Sequence, residues 1–216
     1  PSVAPEVSSV PYDVVSADEA RVLAQGHPLS FLRVTRSEIE LPAGTDPYSA
    51  AVYQRARANF ERLKREAPLE TDPEPTLYLY RLRMGGHVQT GVAGAFSVDE
   101  YERDGIKKHE KTRRAKEDDR TRHIVELRAQ TGVVFLTYRA SRDVDAVVER
   151  VAAGAPLYDF VAGDGVAHTV WRAGDLLGGN AECRGGQLQP VEAGGVLEEG
   201  RVAPLLDPRE DLEHRG

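Results

Sequence analysis

Apolar residues recur at helical spacing in two early parts of the chain. The first follows Ser16-Ala17-Asp18-Glu19, which has the form of a capping box, and predicts a helix to about Gln25 that Gly26 ends. The second begins at Asp46-Pro47, an acidic N-cap with proline in the first turn, and ends before Pro68. Each helix is expected to bury one face. The stripe of the second helix is Val52, Ala56, Phe60, Leu63 and Ala67.

Alternating side chains predict two antiparallel hairpins. Thr76 to Met84 alternates in β fashion, Gly85-Gly86 supplies a turn, and His87 to Val98 returns as the partner strand. Leu157 to Val161 and Val166 to Arg172 form a second hairpin across a Gly-Asp-Gly turn.

Two further strands and one more helix complete the predicted elements. Leu29 to Val34 is a short apolar stretch that predicts a strand, and Val133 to Tyr138 predicts a buried strand. From Asp143 onward, valines recur at helical spacing and predict a helix. Because helices and antiparallel hairpins are mixed without a regular βαβ alternation, the sequence predicts an α+β fold.

The pattern changes after Arg172. Residues 173–216 contain three Gly-Gly pairs and three prolines, and they sustain no apolar period. Such a segment cannot bury enough apolar surface to offset the entropy of ordering it. We therefore expect a folded α+β body at residues 1–172 and a largely disordered tail at residues 173–216.

Composition excludes several protein classes. Of the 216 residues, 40% are hydrophobic and 29% are charged, which argues against a wholly disordered or fibrous chain. No apolar run approaches the roughly 20 residues that cross a bilayer, and Pro1 to Val10 lacks a signal-peptide pattern. The one cysteine, Cys183, excludes an internal disulfide and a cysteine-rich zinc module. A cytoplasmic protein without a membrane partner is therefore expected.

Several catalytic motifs are absent from the sequence. It contains no G-x-x-x-x-G-K-[ST] phosphate loop, no G-x-S-x-G elbow and no G-x-G-x-x-G after a predicted strand. His109-Glu110 begins like the H-E-x-x-H motif of zinc peptidases, but Arg113 stands where the second histidine is needed. No set of His, Cys, Asp or Glu has the spacing of zinc ligands.

Charge is concentrated between Lys107 and Arg122. Twelve of these 16 residues are charged, eight basic and four acidic, so the segment carries +4 in a chain of −7. Such a cluster suits a phosphorylated ligand, since lysine and arginine neutralise phosphate, a carboxylate can act as general base and aspartate can hold Mg²⁺. The alternative is a solvated helix face with ion pairs four residues apart, which most charge runs are.

Aromatic residues offer further candidates. Tyr12 and Asp13 could place a phenol and a carboxylate in a substrate pocket, and the alternative is a loop that leads into a helix. The strand spacing of Tyr78 and Tyr80 favours packing over a base-stacking platform. Trp171 is expected to anchor the second hairpin.

Four motifs follow one another in the body of the chain, and together they carry a family resemblance. The motifs are Pro11-Tyr12-Asp13-Val14-Val15-Ser16, Pro28-x-Ser30-Phe31-Leu32-Arg33-Val34, His109-Glu110-Lys111-Thr112 and Lys116-Glu117-Asp118-Asp119-Arg120. With these motifs the chain resembles the bacterial family catalogued as domain of unknown function 1015, over about residues 1–172. That family is similar in turn to the ParB/sulfiredoxin-like superfamily, whose members include free-serine kinases.

The resemblance implies a kinase-like phosphotransferase that acts on a small hydroxyl amino acid such as serine, with ATP or ADP and Mg²⁺ as cofactors. Glu110 would be the general base that takes the hydroxyl proton, and His109 would be its neighbour in the pocket. Positioning and charge neutralisation would do most of the catalysis. The other expected roles are phosphate binding by Lys116, Arg120, Lys111 and Arg113, placement of Mg²⁺ by Asp118 or Asp119, and a substrate pocket at Tyr12 and Asp13.

The chain departs from this family in its last part. Family members are nearly twice this length and carry an Asp-Gly-His-His-Arg stretch for handling phosphate after the Trp171 region. That stretch is absent here, and Gly163 to His168 does not replace it. The Gly-rich tail in its place leads us to expect a truncated or frame-shifted copy with weak or no activity.

Three functions stay open from the sequence. The first is the phosphotransferase, and the second is a binding module in which the basic segment docks a nucleotide, another anion or an acidic partner without turnover. The third, nucleic-acid binding, is disfavoured because the rest of the chain carries a net charge of −11 and has no helix-turn-helix signature. The oligomeric state is not predicted.

Overall fold

The computed structural model describes residues 2–67, 69–108 and 113–173. They form an α+β fold, which confirms the predicted class. Residues 174–216 of the predicted disordered tail lie outside the described residues. The helices are α1 (Ala4–Val7), α2 (Ala17–Ala24), α3 (Leu32–Thr35), α4 (Ala50–Glu66), α5 (Val98–Glu102), α6 (Arg114–Leu127) and α7 (Arg142–Ala152), with a 3₁₀ turn at Ser37–Glu40. The strands are β1 (Tyr78–Met84), β2 (His87–Ala93), β3 (Tyr158–Val161) and β4 (Ala167–Arg172).

The predicted capping box opens α2. Ser16 Oγ accepts a hydrogen bond from the Glu19 amide at 3.2 Å, and Glu19 Oε2 accepts one from the Ser16 amide at 2.7 Å. These two bonds satisfy amides that a helix start leaves without partners. Gly26 follows with a φ of +76°, a left-handed conformation that glycine adopts without strain. Both predicted ends of this helix are confirmed.

Helix α4 carries the predicted apolar stripe, but it begins later than predicted. Its N-cap is Ser49, and the first helical residue is Ala50. Asp46 opens a turn instead, because its Oδ1 accepts a hydrogen bond from the Tyr48 amide at 2.9 Å and its carbonyl accepts one from the Ser49 amide at 3.0 Å. The acidic residue therefore caps the turn that leads into the helix.

The strand predicted for residues 29–34 is wrong, because the segment ends in the helical turn α3. Two apolar clusters require this shape. Leu32 packs with Ala20 and Ala24 of α2, whereas Val34 packs with the cluster of α4. Residues two apart point to the same face of a strand, so a strand could not serve both clusters.

The four strands form one antiparallel sheet in the order β2-β1-β4-β3. Leu79 of β1 lies opposite Val92 of β2 and Trp171 of β4, which fixes the register of the centre of the sheet. Both predicted hairpins are confirmed. The strand predicted to reach Val98 ends at Ala93, because Ser97 Oγ accepts a hydrogen bond from the Glu100 amide at 3.4 Å and caps α5.

Helix α7 covers one face of the sheet. Val151 of α7 packs with Leu79 and Trp171 in a buried cluster. The Trp171 indole also donates a hydrogen bond to the Gly154 carbonyl at 3.1 Å. The predicted helix and the predicted anchoring role of Trp171 are both confirmed.

The buried strand predicted for residues 133–138 is wrong. These residues form no regular secondary structure, and their apolar side chains are exposed, with Val133 96% and Phe135 67% accessible. A strand needs a neighbour for its backbone groups. The inner strands β1 and β4 each already have a paired strand on both sides, so residues 133–138 cannot join the sheet at a buried position.

Candidate functional site

A buried histidine fixes helix α6 to the other helices. His123 is 4% exposed, its Nε2 lies 3.1 Å from the Val34 carbonyl oxygen, and its Nδ1 lies 3.3 Å from Thr131 Oγ1. Burial lowers the pKa of His123 in spite of the hydrogen bond to Val34. His123 thus anchors the second half of α6. Residues 113–118, at its beginning, are exposed to solvent.

The first turn of α6 concentrates positive charge. Arg113 is the N-cap and makes no capping side-chain hydrogen bond, and Arg114 and Lys116 follow within the turn. The amides at the start of a helix carry a partial positive charge, so basic side chains there are unfavourable and acidic ones are favourable. Glu117 is the one acidic residue of this first turn. A bound anion would relieve the repulsion.

Asp119 of α6 contacts α4 directly and, through Arg120, contacts the segment between α1 and α2. Its Oδ1 accepts a hydrogen bond from the Tyr53 hydroxyl at 2.7 Å. Its Oδ2 accepts from Arg120 Nε at 3.1 Å and from Arg120 Nη2 at 2.7 Å. The Arg120 guanidinium lies over the Tyr12 ring, 4.4 Å from its centroid. These contacts hold Arg120 in one orientation.

The same contacts change the acidity of Tyr53. Burial and the hydrogen bond to Asp119 raise the pKa of Tyr53 to about 12. The positive charge of Arg122, whose guanidinium lies 4.3 Å from the Tyr53 ring centroid, opposes this shift. Tyr53 therefore stays protonated at neutral pH and acts as a hydrogen-bond donor.

A shallow cleft of about 210 Å³ lies beside this network. Arg122 lines it, and its Nη1 donates a hydrogen bond to the Tyr48 carbonyl at 3.2 Å. Lys116 Nζ lies 6.0 Å from the Tyr48 ring centroid. The cleft therefore places the rings of Tyr48 and Tyr53 beside one guanidinium, that of Arg122, and the carboxylates of Asp118 and Asp119. Its lining residues are Tyr48, Tyr53, Ala115, Asp118, Asp119 and Arg122.

The two predicted magnesium ligands differ in their surroundings. Asp119 is 10% exposed and both of its oxygens accept hydrogen bonds, so a metal ion would have to displace Tyr53 or Arg120. Asp118 is 61% exposed and pairs with Arg114 at 3.0 Å. Across residues 2–67, 69–108 and 113–173, no three His, Cys, Asp or Glu side chains are grouped so as to hold a metal ion. Asp118 is thus the carboxylate of the two that is accessible.

The structure brings together part of the predicted site. Tyr12 meets Arg120, whereas the neighbouring Asp13 is exposed and makes no hydrogen bond or ion pair with the described residues. Arg113, Lys116 and Arg120 share the first half of α6 and its N-cap. The predicted catalytic residues Glu110 and His109, and the predicted phosphate ligand Lys111, lie outside the described residues.

Three residues of this arrangement were missed by sequence reasoning: Tyr48, Tyr53 and Arg122. Tyr53 is 3% exposed and precedes Ala56 by three positions, so the helical stripe of α4 could have revealed it. Arg122 is part of the charged segment but follows its recognisable motif. Tyr48 has no sequence signal, because only the turn at Asp46 places it next to α6.

A larger cleft, of about 380 Å³, lies between α2 and the 3₁₀ turn. Its two arginines are engaged within the fold. Arg33 donates to the carbonyls of His27 and Ala24 and pairs with Glu40 at 2.5 Å, and Arg21 donates to the Ile39 carbonyl. This cleft is larger than the one at α6, but its charged groups already serve the helices around it.

The chain was then compared with known proteins. A family model described as a protein of unknown function, DUF1015, matches residues 1–176. The chain belongs to this family. The DUF1015 match covers the sheet, α6 and residues 109–112 alike, and it confirms the family that the sequence motifs resemble. No curated protein and no solved structure matches the chain.

The family description assigns no activity to DUF1015 members, so the function rests on the chemistry of the site. No helix among the described residues is long and apolar enough to cross a membrane.

Proposed function

We propose that the N-terminal turn of α6 binds the phosphate groups of a nucleotide. The observation that carries the proposal is the cluster of Arg113, Arg114 and Lys116 at a helix start where the N-cap residue Arg113 makes no capping side-chain hydrogen bond with the described residues. Backbone amides and the helix dipole at such a position favour an anion, and the basic side chains add to that preference.

The pairing of charges on α6 supports anion binding at its first turn. Among the described residues, Arg114 is paired with Asp118, and Arg120 is paired with Asp119. Arg113 and Lys116 form no ion pair there, and both are exposed. Two cations at the positive end of a helix dipole destabilise the helix, and a bound phosphate group would offset that destabilisation.

Arg120 and Tyr12 support a second contact to the same ligand. Two nitrogens of the Arg120 guanidinium bind Asp119, which leaves the guanidinium edge at Nη1 for another acceptor. Lys116 and Arg120 are four residues apart, so they lie on one face of the helix. A diphosphate could therefore reach both residues, with Tyr12 behind Arg120.

Mg²⁺ would enter this site with the nucleotide. In such sites Mg²⁺ keeps several waters and is bound by one or two carboxylates together with substrate phosphates. Asp118 fits the role of the single carboxylate because it is exposed beside the cleft. Asp119 fits it less well, since its oxygens are committed to Tyr53 and Arg120.

The second candidate function is phosphotransfer to a small hydroxyl amino acid such as serine. It is favoured by position, because Glu110 lies three residues before the N-cap Arg113. The free-serine kinases that the family resembles use a glutamate of a His-Glu pair as general base. Glu110 would take the hydroxyl proton, His109 would border the pocket, Lys111 would contact phosphate, and Tyr12 with Asp13 would line the amino-acid side.

Thermal denaturation with ADP and Mg²⁺ tests the binding proposal. A ligand that binds only the folded state at 100 times its Kd stabilises that state by about 2.7 kcal/mol, a visible rise in Tm. Adenosine is the matched control because it lacks the phosphates. A Tm that rises with ADP but not with adenosine supports the proposal, and equal responses to the two ligands contradict it.

Transfer of the γ-phosphate of ATP, or the β-phosphate of ADP, to free serine tests the second candidate. Product that forms with the wild-type chain and is lost in Glu110→Gln supports Glu110 as the base. ADP binding with no phosphoserine formed would leave the non-catalytic binding module as the function of this chain.

A further inference from the structure

The most exposed apolar segment of the described chain is residues 132–138. Val133, Val134 and Phe135 are 96%, 76% and 67% exposed. Monomeric proteins rarely expose large contiguous apolar patches, and a large one is typical of an interaction surface. Leu136 and Tyr138 are 36% and 44% exposed. No residue from 133 to 138 is charged.

Residues 133–138 have the composition of a β-strand, but they pair with no neighbouring strand among the described residues. Its sequence, Val-Val-Phe-Leu-Thr-Tyr, consists almost entirely of β-branched and aromatic residues, which favour strands. Among the described residues, no backbone amide or carbonyl of residues 133–138 forms a hydrogen bond. A neighbouring strand would satisfy these groups.

The same chain offers a complementary edge. Within the part of the chain that the structure describes, β2 lies at one end of the sheet and is hydrogen-bonded on one side only. Its sequence, His-Val-Gln-Thr-Gly-Val-Ala, contains no proline, lysine or carboxylate, the residues with which proteins usually protect an open edge. Its seven residues match the length of residues 132–138.

Charges at the ends favour the same pairing. Arg128 precedes the exposed segment, and Arg139 and Arg142 follow it. The C-terminal end of β2 leads into α5, whose carboxylates are Asp99, Glu100 and Glu102. In the parallel direction Arg139 would approach the α5 end of β2, and in the antiparallel direction Arg128 would.

We propose that residues 132–138 add as a fifth strand to the β2 edge of a second copy of this chain. Each copy donates its segment to the other, so the two contacts are identical and the assembly closes as a two-fold dimer.

The mass of the full chain in solution tests the dimer. Sedimentation equilibrium should give twice the 23.7 kDa of one chain at high concentration. Phe135→Glu should raise the dimer dissociation constant at least tenfold, whereas Val22→Glu, at a position 69% exposed on α2, should leave it unchanged. A monomer at every concentration, or an equal effect of both variants, would overturn the proposal.

The acceptor edge needs its own test. Lysine on an edge strand prevents strand addition. Val88→Lys on β2 should weaken the dimer, and Val161→Lys on the opposite edge strand β3 is the matched control, since both valines are exposed. Weakening by Val161→Lys alone would place the contact on the wrong edge and overturn the assignment.

Hydrogen exchange locates the new strand without any substitution. The amides of residues 133–138 and of β2 should exchange at least tenfold more slowly in the dimer than in the dilute monomer. A dimer that protects neither segment would be built through another surface, and the proposal would be wrong.

Discussion

The Tyr53 hydroxyl on α4 donates a hydrogen bond to Asp119 Oδ1 on α6, with the two oxygens 2.7 Å apart. This bond joins α4 and α6 through two residues that are 66 positions apart in sequence. Because Asp119 in turn binds Arg120, the bond determines where a basic side chain of the candidate site points.

Loss of this bond should destabilise the fold. Tyr53→Phe removes the donor to a largely buried carboxylate, and hydrogen bonds to charged groups contribute about 1.5–3 kcal/mol. Urea denaturation should show a loss of that size in the free energy of unfolding. Tyr48→Phe is the control, because the Tyr48 hydroxyl makes no hydrogen bond with the described residues. Equal losses in both variants would deny the bond this role.

Alkaline titration should identify Tyr53. Its pKa is raised to about 12 from an ordinary 10.0, so the stability that its proton carries is complete below pH 10 and is lost as the pH rises toward 12. Burial also raises the pKa of Tyr80 and of Tyr138, so other tyrosines contribute to late tyrosinate absorbance. The component near pH 12 should disappear in Tyr53→Phe and persist in Tyr80→Phe. A component near pH 12 that survives in Tyr53→Phe would refute the assignment.

Acid should destabilise the chain through His123. Burial lowers the pKa of this imidazole below 6.5, so the unfolded chain binds the proton more readily and stability falls as the pH drops from 6.5. His123→Gln should flatten that dependence in the range above carboxylate titration. The pKa of His168 is also lowered by burial. The variant His168→Gln measures the contribution of His168 to the pH dependence of stability. No flattening in either variant would contradict this explanation.

The carboxylate of Glu40 should matter more than that of Glu61. Burial raises the pKa of Glu40, but hydrogen bonds from Arg33 Nη1 at 2.5 Å and Asn59 Nδ2 at 3.0 Å outweigh it, and the net pKa is lowered. Glu40→Gln should cost about 2–3 kcal/mol at neutral pH. The wild-type contribution should vanish as the pH falls below 4.5.

Glu61→Gln is the matched control for that experiment. Glu61 also pairs with a cation, Lys64 at 2.7 Å, but the pair is exposed and solvent screens it. Its loss should leave the unfolding transition unchanged. A comparable loss from both variants would mean that burial does not distinguish the two pairs.

Much of the fold could be predicted from the sequence where local signals act alone. The capping box at Ser16, the stripe of α4 and the two Gly-turn hairpins depend on residues that are close in sequence, and all of them are confirmed. The errors arise where distant contacts decide. Residues 29–34 have a strand-like composition, but packing against both α2 and α4 makes their end helical.

The candidate site was predictable in its charges and not in its geometry. The sequence singled out Lys116 and Arg120, because a charge cluster is visible in a one-dimensional pattern. It could not pair Asp119 with Tyr53 or stack Arg120 on Tyr12, since those partners come from separate elements. Asp119 therefore looked like a free metal ligand, although its oxygens hold α4 and α6 together.

The most direct test of the account is the affinity for ADP after removal of Arg113 and Lys116. Isothermal titration of the Arg113→Ala/Lys116→Ala variant should show at least tenfold weaker binding than the wild type, about 1.4 kcal/mol. Unfolding should show a slightly more stable variant, because two cations leave the positive end of α6. The control Lys64→Ala/Arg65→Ala removes equal charge from the last turn of α4, where cations are favourable, and should keep wild-type affinity. Unchanged ADP affinity in the α6 variant, or an equal loss in the α4 control, would contradict phosphate binding at this helix.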